Sequence, residues 1–155
     1  MSVSLKVIKS NNIAQLLVNN LYREKPYNDM NEMMKEDSLF SQFGMVLVNY
    51  GPGWSKVSMA VHKDMLNGYG ATHGAVIYAL SDVAFAIACN SRGTKGVALS
   101  MNIHYRRPAG LGETLTAEGR EESLGRTTGV YRMKVTNGDG KLVAVADGLA
   151  FLSQK

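Results

Sequence analysis

The spacing of apolar residues changes several times along the chain, and each change predicts an element. Over residues 11–25, Ile13, Leu16, Leu17 and Leu21 recur at helical spacing behind a Ser10-Asn11-Asn12 cluster able to cap them, which predicts an amphipathic helix ending before Pro26. Residues 26–37 are polar but carry Met30, Met33 and Met34, so a loop or short helix is expected there, packed as a lid or against a partner chain. Residues 43–50 are rich in strand formers, Gly51-Pro52-Gly53 is a turn, and 54–61 alternates with Val57, Met59 and Val61 on one side. These segments predict a β-hairpin. Strand patterns follow at 96–106, 113–122, 127–136 and 142–152, broken by Pro108-Ala109-Gly110 and by the hairpin signal Asn137-Gly138-Asp139-Gly140.

Between the hairpin and those strands, a glycine-rich turn leads into residues 75–89, a run that is apolar on every side and so predicts a helix buried all round. A membrane span would also suit such a run, but it is barely long enough, and Asp82 near its middle and the lack of basic and aromatic flanks argue against one. An antiparallel sheet curled around the helix is the economical way to cover it, giving an α+β fold with the helix at its centre. One chain rarely closes such a sheet, so a dimer or larger assembly is expected. Asp82 is the one carboxylate in the run. An ionised carboxylate in an apolar setting is costly unless it finds partners or shifts its pKa, so either a structural network or catalysis must account for it.

Composition narrows the class. With 155 residues, 45% hydrophobic and 19% charged, the chain suits one domain with a sizeable core. The net charge of +4 comes from scattered basic residues without a Lys/Arg block or a nucleic-acid motif, so a small phosphate-bearing partner fits as well as any nucleic acid. Cys89 is the single cysteine and lies in the apolar run, which points to packing, to a reducing, cytoplasmic compartment and away from a cysteine metal cluster.

Asn67, Gly70, His73-Gly74, Leu80, Asp82 and Ala84, then Asn90-Ser91-Arg92-Gly93, then Met101-Asn102-Ile103-His104-Tyr105-Arg106-Arg107-Pro108-Ala109, form a pattern that resembles the hotdog-fold acyl-CoA thioesterases. Within them the pattern is most similar to the PaaI-like group of phenylacetic acid degradation. The resemblance runs from about residue 43 to the carboxyl terminus, so the chain divides into an N-terminal segment, 1–42, packed on a hotdog domain, 43–155. It implies hydrolysis of a coenzyme A thioester, with no cofactor beyond that substrate, at a site built between two subunits of a homo-oligomer, by family tendency a tetramer of two dimers. An aryl acyl group is favoured by the same likeness. The resemblance puts the catalytic carboxylate, nucleophile or base toward water, at Asp82, an active amide at Asn67, and a carbonyl-polarising backbone N–H at Gly74. Many members read His-Gly-Gly where this chain has His73-Gly74-Ala75, a departure that leaves the Gly74 N–H in place.

These residue types suit the chemistry. Hydrolysis puts negative charge on the thioester oxygen, and free N–H groups at a helix amino terminus are aligned to receive it. Asp82 lies eight positions after Gly74, or about 12 Å along a helix axis, too far for both to serve one carbonyl. Gly74 of one subunit is therefore expected to meet Asp82 of another. Asn67 either orients water or substrate or simply makes the Asn67-Gly68 turn. His73 is a supporting residue at the mouth of the helix, and Ser100 and Asn102, alternating with His104, are lesser candidates for holding water or substrate. Arg92, Arg106 and Arg107 are candidates for the coenzyme A phosphates, against the alternative of solvated strand ends. Tyr78, Phe85 and the 30–34 methionines are candidate acyl-pocket residues. A hydratase or dehydratase of the same fold, and a non-catalytic acyl-CoA sensor, are the competing readings.

Overall fold

The computed structural model describes residues 27–153, so the helix predicted over 11–25 lies outside the described residues. Two short helices come first, α1 (Met30–Lys35) and α2 (Ser38–Gln42), followed by β1 (Val46–Gly51), β2 (Trp54–Ala60) and a 3-10 turn at Lys63–Met65. The long helix α3 spans Gly74–Asn90, and β3 (Gly96–Tyr105), β4 (Thr114–Leu124), β5 (Thr128–Thr136) and β6 (Leu142–Leu152) complete the chain. The strands form one antiparallel sheet in the order β1-β2-β4-β5-β6-β3, which leaves β1 and β3 as its edges. This is the expected hotdog arrangement of a sheet curled around a central helix.

Local chemistry explains the turns. Gly53 (φ 77°) closes the β1-β2 hairpin, where only glycine adopts that backbone without strain. In the β5-β6 turn the Asn137 Oδ1 accepts the N–H groups of Asp139 (3.2 Å) and Lys141 (3.0 Å), so the side chain substitutes for missing ladder bonds.

The alternating strand residues face the helix as their period requires. Val57 and Met59 on β2, Leu115 and Ala117 on β4, Tyr131, Met133 and Val135 on β5, and Ala144, Ala146 and Ala150 on β6 are all buried against it. Small residues let the sheet come close. Ser55 Oγ donates to the Ala84 carbonyl at 2.6 Å, and a Cβ on Gly119 would stand 2.9 Å from that same oxygen. A Cβ on Gly148 would lie 2.8 Å from the Phe85 ring, which itself meets Tyr131 edge-to-face at a centroid distance of 5.5 Å.

Two expectations need correction. The helix is not covered on every side within one chain, because Ala75 is exposed and Tyr78, Asp82, Ala86 and Asn90 are only half-buried. Their spacing of three and four places them on one stripe, the face turned away from the curl of the sheet. The methionine segment is not an outer lid either: Met30 and Met34 of α1 are core residues. Asp29 holds that helix in place by accepting the Asn31 N–H and the Tyr50 hydroxyl of β1, both at 2.8 Å.

Gly119→Ala forces a methyl group against the Ala84 carbonyl, a backbone atom that cannot rotate away. The variant is expected to lose about 1–3 kcal/mol of stability by thermal or urea unfolding. An unchanged midpoint would show that the sheet does not need this close approach.

Candidate active site

The loop entering α3 is built by short-range hydrogen bonds that leave little freedom. The Asn67 N–H and C=O bond the Ala71 carbonyl (2.8 Å) and the Gly70 N–H (3.0 Å), while its Oδ1 accepts from Tyr69 (2.9 Å) and Ala71 (3.3 Å). The turn therefore occupies the oxygen of Asn67, and the Nδ2 group has no acceptor among the described residues. Thr72 is buried, and its N–H and Oγ1 both donate to the Ala109 carbonyl, at 2.8 and 2.9 Å.

His73 is the N-cap of α3. Its Nδ1 accepts the Ala75 N–H at 3.2 Å, which fixes the neutral ring as the tautomer with its proton on Nε2. Its own N–H donates to the Met65 carbonyl (2.8 Å), and its carbonyl accepts from Val76 (2.9 Å) and Ile77 (3.3 Å). Every N–H from His73 to Ile77 thus has an acceptor among the described residues except that of Gly74. A helix amino terminus concentrates partial positive charge on such an orphan donor.

Asp82 stands a little over two turns further along the open stripe, with Tyr78 one turn before it and Ala86 one turn after. No hydrogen-bond donor or cation among the described residues meets its carboxylate. Burial raises its pKa above the ordinary carboxylate value, and the negative charge of Asp37, the N-cap of α2, adds to the effect. The neighbouring Ser81 does not help, since its hydroxyl is buried and donates to the Ile77 carbonyl at 3.0 Å.

The other predicted residues separate into two groups. Arg106 and Arg107 follow directly on Tyr105, whose hydroxyl donates to the Gly74 carbonyl at 2.9 Å, so they lie at the same end of α3 as the free N–H. Arg107 Nη1 donates to the Leu142 carbonyl (2.8 Å), whereas the Arg106 guanidinium has no partner among the described residues. Arg92 lies just past the opposite end of α3, where it forks onto Glu121 at 2.9 and 3.1 Å. Ser100 and Asn102 pair in register with Leu149 and Asp147, on the sheet face opposite Met101 and Ile103, which pack on the core. Within one chain they do not meet Asp82. Asn102 Nδ2 lies 3.2 Å from His104 Nε2.

For the acyl pocket, Phe85 is enclosed and Met30 and Met34 are core, which leaves Tyr78 as the member on the open stripe. Tyr105 and Asp37 had no assigned part in the sequence reading. Tyr105 was visible inside the 101–109 motif, but nothing in strand spacing shows that its ring reaches the start of α3.

An N–H with no acceptor among the described residues and a half-buried carboxylate thus lie about two turns apart on a helix that the sheet wraps on its other side. Comparison with known proteins gives the family. Residues 69–144 match the family model of the thioesterase superfamily. The acyl-coenzyme A thioesterase PaaI of Escherichia coli is 36% identical over 124 residues, which cover 80% of this chain and 89% of that protein. The solved structure of E. coli PaaI superposes with a TM-score of 0.79 at 34% identity, covering 81% of this chain and 91% of that one. A hypothetical thioesterase from Streptococcus pneumoniae solved with coenzyme A has a TM-score of 0.69 at 30% identity, covering 72% and 90% of the two chains. The chain belongs to the thioesterase superfamily, in its PaaI-like hotdog group.

The raised pKa of Asp82 has a consequence for stability. Folded protein keeps a proton that the unfolded chain has already released, so the contribution of Asp82 to stability falls as pH rises from the ordinary carboxylate pKa to the higher folded value. Asp82→Asn removes this loss. Thermal unfolding from pH 4 to 8 should show the variant gaining on the wild type through that window and then holding a constant lead. A difference that does not vary with pH would contradict it.

Proposed function

We propose that the protein hydrolyses acyl-CoA thioesters, with the Gly74 N–H of one subunit holding the carbonyl oxygen and Asp82 of a second copy activating water. The observation that carries this reading is the Gly74 N–H in the first turn of α3, which alone in that turn has no acceptor among the described residues. The names of the E. coli relative and of the coenzyme A complex support the substrate class. Asp82, made more basic by burial, takes a proton from water in its ionised form, and the oxygen of that water attacks the thioester carbon. The tetrahedral oxyanion rests on the Gly74 N–H. Its collapse breaks the C–S bond, and the proton held on Asp82 passes to the departing thiolate, giving free acid and coenzyme A. This sequence calls on no cofactor.

The roughly 12 Å between the two groups along one helix is what argues for two copies. A second chain placed with its α3 against the open stripe would bring its own Gly74 to this Asp82 and cover Tyr78 and Ala86. The assembly is thus a dimer at least, with a tetramer of two dimers as the form we favour. Arg106, at the same end of α3 as the free N–H and without a partner among the described residues, is the residue we assign to the coenzyme A phosphates, with Arg107 next to it. Asn67 offers its free amide group to substrate or water. Aryl and medium-chain acyl groups are the classes to test against Tyr78, and the unpaired Cys89 supports a cytoplasmic location.

Thiol release from aryl and aliphatic acyl-CoAs tests the reaction. The wild type is expected to turn over at least one class and Asp82→Asn to lose on the order of a hundredfold or more in kcat while remaining folded. Failure of the wild type on the whole panel would sink the proposal. Hybrids test the shared site. Gly74→Pro, combined with Tyr105→Ala to clear the ring that a Cβ at 74 would meet, deletes the free N–H at the first helix position, behind a His73 backbone (φ −59°, ψ 135°) that suits a following proline. Mixed with Asp82→Asn subunits, it should restore about a quarter of wild-type activity, because half of the pairs are mixed and each has one intact site. Hybrids as inactive as their parents would place Gly74 and Asp82 of one chain in one site.

A further inference from the structure

Gly74 raises a question that its backbone does not answer. Its φ is not in the left-handed region, so nothing in the helix itself asks for glycine there. The space beside it does. A Cβ built on Gly74 would stand 3.2 Å from both Cζ and Oη of Tyr105, closer than such contacts normally settle, and 3.5 Å from Cε1. The side chain is about half exposed, and it can move outward only by weakening the hydrogen bond that its hydroxyl donates to the Gly74 carbonyl at 2.9 Å.

Tyr105 is itself held from behind. The N–H groups of Arg106 and Arg107 both donate to the Val143 carbonyl, at 2.8 and 3.2 Å, and the Arg107 side chain reaches Leu142. Four residues after Tyr105, the Ala109 carbonyl takes both donors of Thr72. Segment 105–109 therefore grips the entry to α3 at two points, at Thr72 and at Gly74, and β6 anchors the segment.

We propose that Tyr105 is a positioning residue for the oxyanion donor: its hydroxyl holds the carbonyl of the peptide that follows Gly74 and its ring lies beside the Gly74 Cα, so residue 74 keeps one backbone conformation and its N–H, in the peptide before, keeps one direction, and the ring is what demands glycine at 74. This rests on the reading of Gly74 as the oxyanion donor. An oxyanion donor acts through pre-organisation, and a misplacement of about 1 Å can cost on the order of a hundredfold in rate, so a residue that touches no substrate controls kcat through this contact. Burial, with Tyr78 nearby, raises the Tyr105 phenol above its ordinary pKa, so the hydroxyl keeps the proton it donates. Tyr105 also ties the site to the sheet edge, because it is the last residue of β3.

The test uses the full-length protein and four variants, Tyr105→Phe, Tyr105→Ala, Gly74→Ala and the Gly74→Ala/Tyr105→Ala double, with thiol release from the best acyl-CoA of the panel. Tyr105→Phe keeps the ring and is expected to lower kcat about tenfold with KM within about twofold, the mark of a contact that acts in the transition state only. Gly74→Ala is expected to cost about a hundredfold when Tyr105 is present and only a few-fold when it is alanine, a non-additivity that a contact of this kind produces. Wild-type kcat in Tyr105→Phe, or an equal cost of Gly74→Ala in both backgrounds, would overturn the inference. A wild type that releases no thiol at all is a different failure, that of the thioesterase reading. Thermal unfolding of the same set then decides the packing: a Gly74→Ala penalty that does not shrink in the Tyr105→Ala background overturns the claim that the ring requires the glycine.

Discussion

The structure depends on a close approach between one helix and the sheet that curls around it. A helix with apolar side chains on most of its surface can be covered by a sheet only if the strands come near its backbone, and near means small residues where they cross. Ala84, Ser55 and Gly119 meet at one such crossing, Phe85 and Gly148 at another. Ser55 adds a hydrogen bond to a helix carbonyl that already has a helical partner, using its second lone pair, so the contact buries no polar atom unpaired. With the helix fixed from the sheet side, its remaining stripe is free to carry chemistry.

That stripe shows a tension common to enzyme sites. Asp82 sits where burial opposes its charge, no donor among the described residues relieves it, and Asp37 makes matters worse. A fold selected for stability alone would place an amide or an alanine there. The elements at the amino end of α3 are by contrast closely tied: His73 caps, Thr72 is tied twice to Ala109, and Tyr105 closes on Gly74. Rigidity surrounds the Gly74 N–H, and unfavourable electrostatics surround the Asp82 carboxylate.

Much of this was legible in the sequence because it depends on period. The alternation of Val57, Met59 and Val61, the Asn137 turn and the unbroken apolar run each have one dominant physical reading, and the strands and α3 fall within a few residues of where those patterns put them. The resemblance carried by His73-Gly74 and Asp82 led to the family, which comparison with known proteins shows. What the pattern could not give is contact across long sequence separation. Tyr105 reaches Gly74 over 31 residues, and Arg92 finds Glu121 over 29, through a sheet order that no local rule encodes. The burial of Met30 and Met34 was missed for a related reason: a polar segment with a few methionines looks the same whether its apolar side faces solvent, a partner or its own core.

Cys89 gives one more consequence. The product of the proposed reaction is itself a thiol, released at high local concentration beside the protein, and an exposed cysteine there would be drawn into mixed disulfides with it under oxidising conditions. Cys89 is shut behind Gly96, whose missing side chain leaves room for the sulfur, and burial pushes its pKa up to about 12. Exchange proceeds through the thiolate, which this residue does not form at physiological pH. The chain is thereby deaf to its own product, and in an assay that counts thiols the protein contributes none of the signal.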